Sequence, residues 1–120
     1  NINRRFTYTT PGNVLTCQCE GLGSYNGINH LENYGSNRDG IIFTSQVINP
    51  VIWNWTCGST APTKGEMSVK ANDRDFTVKV LFSVDANGNP VNVLPNNCPY
   101  GWKVEWVNNS LPGKRVFAYN

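Results

Sequence analysis

Apolar and polar positions alternate with a period of two along most of this chain, and no window of helical length carries an apolar stripe. The clearest run is Asp75 to Val84. Phe76, Val78, Val80, Phe82 and Val84 share one face; Thr77, Lys79 and Ser83 share the other, with Leu81 as the exception. The Asp85-Ala86-Asn87-Gly88-Asn89-Pro90 stretch that follows holds an Asn-Gly pair, a strong hairpin signal, and predicts a returning strand over Val91 to Leu94. Pro50 to Cys57 puts Val51, Trp53, Trp55 and Cys57 on one face. Gly101 to Val107 sets Trp102, Val104 and Trp106 against Lys103, Glu105 and Val107. Arg4 to Thr10, Val14 to Cys19, Ile41 to Val47, Glu66 to Ala71 and Lys114 to Tyr119 repeat the pattern. Turns are expected at Gly58 to Pro62, Pro95 to Asn97 and Leu111 to Gly113. Eight or nine short strands punctuated in this way predict an all-β fold. The expected architecture is an antiparallel β-sandwich, jelly-roll or immunoglobulin-like, with most tryptophans in its core. At 120 residues the chain has room for one domain, 1–120.

Four cysteines, Cys17, Cys19, Cys57 and Cys98, predict two disulfides and an oxidising compartment. A zinc site is disfavoured because Cys57 and Cys98 stand outside any close ligand pair. Cys17 and Cys19 lie two apart in a strand, so their sulfurs face the same way as Leu15 and each is expected to reach a distant partner. The pairing is either 17–57 with 19–98 or 17–98 with 19–57. Charged residues make up only 15% of the chain and the net charge is +2, which does not favour nucleic acid as a partner. No stretch approaches the roughly 20 apolar residues that cross a bilayer. The start, Asn1-Ile2-Asn3-Arg4-Arg5, lacks Met and is unlike a signal peptide, so a mature secreted or cell-surface chain is expected. Arg4-Arg5 and Lys114-Arg115 would form a small positive patch if the first and last strands were neighbours.

Glu20 to Gly40 breaks the rhythm with five glycines, several Asn, Tyr25, Tyr34 and the chain's one histidine, His30. Read as a long loop with a short helical turn around Asn29 to Asn33, it is the expected binding region. Tyr25 and Tyr34 would stack on a sugar ring, while His30, Asn33, Arg38 and Asp39 read its hydroxyls. The four Trp, five Tyr and many amides and hydroxyls suit carbohydrate or glycoprotein binding. The leading expectation is therefore a secreted, lectin- or adhesin-like recognition module. Its partner would be a cell-surface glycan or glycoprotein, with self-association as a further possibility.

No catalytic, cofactor or metal motif stands out, and no enzyme activity is expected. The eight carboxylates are scattered, and a single histidine supports no Ser-His-Asp arrangement. Asp85-x-Asn87-x-Asn89 begins like a calcium loop, but Pro90 stands where the turn glycine belongs. His30, Tyr34, Arg38-Asp39-Gly40 and Phe43 give a segment that resembles part of the small microbial guanyl-specific ribonucleases. That resemblance implies a two-disulfide scaffold with a paired acid and base around an arginine. The second histidine and early helix of those enzymes are missing here, so a secreted effector or toxin on a ribonuclease-like scaffold stays an alternative. Ile41 to Val51, Phe76 to Asp85 and Trp102 to Val107 resemble stretches of the H-type lectin domain, in patterns shared by many sandwiches. A second alternative is a pilus, filament or coat subunit that donates Asn1 to Thr10 as an inter-subunit strand. Asn54-Trp55-Thr56 and Asn108-Asn109-Ser110 are N-glycosylation sequons.

Overall fold

The computed structural model of the protein describes residues 1–92 and 97–119. Nine strands occur among them: β1 (Arg4–Thr9), β2 (Thr16–Gly21), β3 (Gly23–Tyr25), β4 (Ile28–Ser36), β5 (Ile42–Asn54), β6 (Lys64–Ala71), β7 (Phe76–Val84), β8 (Gly101–Asn108) and β9 (Leu111–Ala118). They form one antiparallel sheet in the order β1-β2-β5-β6-β7-β8-β9, with β4 also on β5 and β3 on β4. The fold is all-β as expected. A sandwich is not observed, because each strand bonds to the next and the described residues make one continuous sheet in place of two packed ones.

The 13-residue strand β5 organises the sheet. One of its edges is shared by β4, along Ile42 to Gln46, and β2, along Val51 to Asn54; β6 takes the other edge. The strand runs through Pro50, where the sequence suggests a break. Register shifts between Val47 and Ile52 accommodate a residue with no N–H to donate. The strand expected to continue to Cys57 ends instead in a short 3-10 turn, Trp55–Cys57, capped by the Asn54 side chain, which accepts from the Thr56 N–H.

The N-terminal end of the sheet closes on itself. Ile2 bridges to Asn33, the Asn3 N–H donates to the Glu32 carbonyl, and the Tyr34 N–H donates to the Asn1 carbonyl. With β1 on β2, β2 on β5 and β5 on β4, these bonds complete a ring of pairings. Gly21 permits the tight approach, since a Cβ there would lie 2.2 Å from the His30 carbonyl oxygen. Most of the buried apolar side chains lie at this end: Leu31 is fully enclosed, and Cys17, Cys19, Val47 and Val51 are buried, while Ala61 and the fully enclosed Val84 of β7 lie outside it. The buried Glu32 carboxylate accepts from Arg4 Nε and, at 2.9 Å, from Ser45 Oγ, so the charge is paired where water is excluded.

Beyond β5 the sheet is an open meander, β6 to β9. Met67, Val69, Val78, Val80, Phe82, Trp102, Val104, Trp106 and Phe117 occupy one face and the lysines the other. No tryptophan is buried, contrary to the core role expected for most of them: Trp53 and Trp102 are half-buried, and Trp55 and Trp106 are exposed. Leu111-Pro112-Gly113, expected as a turn, belongs to β9. The β8–β9 turn is Asn109-Ser110, both at positive φ (49° and 65°), pinned by Asp75, which accepts from the Ser110 N–H and hydroxyl. The predicted strand Val91 to Leu94 lies partly outside the described residues, as does the turn Pro95 to Asn97; Val91 and Asn92 are not in a strand.

One disulfide joins Cys57 to Cys98, with Cα atoms 5.4 Å apart, and Cys17 and Cys19 are free thiols. The expected faces of Cys17 and Cys19 are observed, but those faces turn the sulfurs into the closed core. Cys57 and Cys98, both outside the strands, meet each other instead. β1 and β9 are the outer strands of the sheet order, so the two basic pairs sit at opposite edges and do not form one patch. Among the described residues no helix is long and apolar enough to cross a membrane.

Candidate functional site

The Glu20 to Gly40 segment is a hairpin in the sheet, neither loop nor helical turn. Asn26 and Gly27, at φ 48° and 78°, close it between Tyr25 and Ile28. An Asn-Gly pair between two short alternating runs was the signal that identifies this hairpin, and the surrounding glycines mask it. Tyr25 and Tyr34 stack with centroids 5.2 Å apart and are both half-buried. Exposed His30 (φ 60°) lines a cleft of about 240 Å³ with Arg5, Glu20, Leu22, Ile48 and Pro50. Arg5 bonds Glu20 and holds its carboxyl below the usual carboxylate range. Asn33 pairs with Ser45 on one side and bridges Ile2 on the other. Arg38 and Asp39 sit in a turn closed by Asn37 Oδ1, which accepts from the N–H groups of Asp39 (2.9 Å) and Ile41 (3.0 Å). His30 stands near the start of β4, whereas Arg38 lies in the turn beyond its end. Of the six residues expected to share a site, only Tyr25 and Tyr34 are brought together.

Two other surfaces converge better. On the polar face of β7 to β9, Lys79, Glu105 and Lys114 form one cross-strand row and Thr77, Val107 and Pro112 the next. Lys70 faces Thr77 from β6. Lys103 Nζ lies 2.9 Å from Glu105 and is the main cause of that carboxyl's lowered pKa; Lys79 and Lys114 lower it further. Thr77, Lys79, Glu105 and Lys114 surround a shallow depression of about 430 Å³ floored by Val107 and Pro112, with Trp106 and Gly113 also lining it. The result is an apolar shelf with an ammonium rim and a hydroxyl, suited to a flat ligand with one apolar face and negative charge at its border. On the apolar side of the same strands the Trp106 indole lies over Gly113, where a Cβ would come within 2.2 Å of the ring.

The opposite face holds a groove of about 470 Å³ lined by Trp53, Met67, Val80, Phe82, Trp102 and Tyr119. Trp102 stacks on Phe117 at 4.5 Å, and the Arg115 guanidinium lies 4.9 Å from the Phe117 ring. The buried Tyr119 hydroxyl has no hydrogen-bond partner among the described residues, and burial pushes its pKa up to about 12. Neither surface is evident from the chain order of its residues. Strand register alone brings Lys79 beside Glu105 and Lys114, three positions scattered over three strands.

Among the described residues no three His, Cys, Asp or Glu side chains gather as metal ligands. Asp85 Oδ1 accepts from the Asn87 and Asn89 N–H groups, so it caps the turn that the calcium-loop pattern spans. Comparison with protein families, with curated proteins and with solved structures returns no match for this chain.

Proposed function

We infer that the chain is an extracellular recognition module, lectin- or adhesin-like, that binds an acidic carbohydrate or glycoprotein on the lysine shelf of β7 to β9. The supporting observation is the Lys79–Glu105–Lys114 row beside the Thr77–Val107–Pro112 floor. A sugar ring laid on that floor would keep its hydroxyls toward Thr77 and Glu105 and its carboxylate or sulfate toward the ammonium groups. The Cys57–Cys98 disulfide is compatible with an oxidising compartment. A glycan array probed with the intact protein, a Lys79→Ala/Lys114→Ala variant and a Tyr34→Ala variant tests the reading. Binding to carboxylated or sulfated glycans that weakens with salt, is lost in the lysine variant and is kept in the tyrosine variant supports the shelf. Loss only in the Tyr34 variant moves the site to the Tyr25–Tyr34 pair, and a blank array removes the lectin reading.

A second reading rests on the His30 cleft, where an imidazole, the Glu20 carboxylate and the Arg5 guanidinium line one concavity. Those are the groups that phosphodiester transfer uses as acid, base and anion stabiliser. Cleavage of single-stranded RNA that His30→Ala abolishes would favour it. An inert wild-type chain removes it.

A further inference from the structure

We propose that two copies of this chain pack the apolar faces of their β6 to β9 meanders against each other, forming between molecules the two-layer sandwich that one chain does not form. The sequence alternates as a sandwich strand does, yet the apolar side of β6 to β9 has no second sheet over it, and only Met67 and Phe82 reach the buried Cys19–Val47–Val51 cluster. Val69, Val80, Phe82, Trp102 and Phe117 are all only partly buried. An ordinary monomer of 13.4 kDa exposes about 6,500 Å², and this chain exposes 7645 Å². Its radius of gyration is 15.4 Å against about 13.6 Å for a compact chain of its length. The excess of about 1,100 Å² exceeds the roughly 800 Å² that each partner contributes to a stable interface.

The occupant is best matched by a second copy. The groove lining is almost wholly apolar, so a sugar would leave its hydroxyls unpaired there, whereas an identical aromatic face is complementary in chemistry by construction. A net charge of +2 per chain opposes pairing only weakly. The only cation placed on this face among the described residues of β6 to β9 is Arg115, already seated over Phe117. This association leaves the lysine shelf facing outward, so it stands or falls separately from glycan binding. It also differs from strand donation by the N-terminus, because residues 1–9 are already paired within their own chain.

Sedimentation equilibrium of the intact protein from about 1 to about 100 µM brackets micromolar association. The expected mass rises from one chain to about 27 kDa, twice 13.4 kDa. Val104→Lys, which places a charge in the middle of the face, should hold the mass at one chain while preserving the β-sheet circular dichroism. A wild-type mass of one chain throughout overturns the proposal, whether or not added liposomes or an apolar dye bind. A folded Val104→Lys variant that still dimerises overturns it too. Should that variant not fold, acrylamide quenching of tryptophan fluorescence in the wild type decides. Quenching that falls as concentration rises supports the buried face, and quenching that does not change overturns it.

Discussion

The two ends of this sheet are built from the same alternating pattern and reach different outcomes. From β1 to β5 the strands curl into a ring of pairings, so apolar side chains meet one another and Leu31 is enclosed completely. From β6 to β9 the same kind of pattern yields an open meander whose apolar face is only partly covered: Met67 and Phe82 pack against the closed core, while Val78, Val80, Trp102 and Val104 stay half-buried. Alternation decides which side of a strand is apolar. It does not supply the surface that covers that side.

The largest test of this contrast is the bond that joins the closed end to the open one. Cys57 follows β5 and Cys98 precedes β8, closing a loop over a sequence separation of 41. A Cys57→Ser/Cys98→Ser variant should lose about 4 kcal/mol in denaturant unfolding, by the chain-entropy estimate for a loop of that size. A titration of native protein should find Cys17 and Cys19 unreactive until the chain unfolds. Leu31→Ala should cost about 3 kcal/mol, as expected for a large aliphatic side chain removed from a closed core. Val78→Ala, on the uncovered face, should cost about 1 kcal/mol or less at concentrations where the chain is a monomer. Equal costs at the two sites would erase the distinction between the ends.

Charge offers a finer comparison. Glu32→Gln removes a buried carboxylate that holds both Arg4 and Ser45 and should cost about 2 kcal/mol. Glu105→Gln breaks only an exposed pair with Lys103 and should fall within about 0.5 kcal/mol of wild type. Smallest is an effect confined to alkaline solution. The Tyr119 hydroxyl titrates near 12 in the folded chain against 10.0 ordinarily, so folding disfavours its ionised form. Stability tied to that group is complete below pH 10 and is lost as pH rises toward about 12. Tyr119→Phe should flatten the decline, read as thermal melting between pH 9 and about 12.

The open end was the more legible in the sequence. The faces of β7 and β8 follow directly from Phe76 to Phe82 and Trp102 to Trp106, because the pairing keeps period two over those residues and shifts register only at Phe82–Val84, where Ser83 has a positive φ. The closed end hides its logic. Its hairpin turns on Asn26-Gly27 amid other glycines, its central strand runs through Pro50 on bulges, and its cysteines serve as core residues. The lysine shelf depends on register across three strands, which no single segment carries. Tryptophan in an alternating strand was a sound sign of an apolar face and a poor sign of burial, because burial needs a partner layer that the chain does not provide.

The position of the Cys57–Cys98 bond has a mechanical meaning as well. A pull applied between the two ends of the chain loads β1 to β5 on one side and β8 and β9 on the other, while β6 and β7 lie inside the covalent loop and feel no tension through the backbone. A chain stretched in this way would stop short of its full contour by about 140 Å, the length of the residues the bridge holds back. Under reducing conditions the same pull would draw out β6 and β7 too, so the bridge works as a length limiter that a reductant can release.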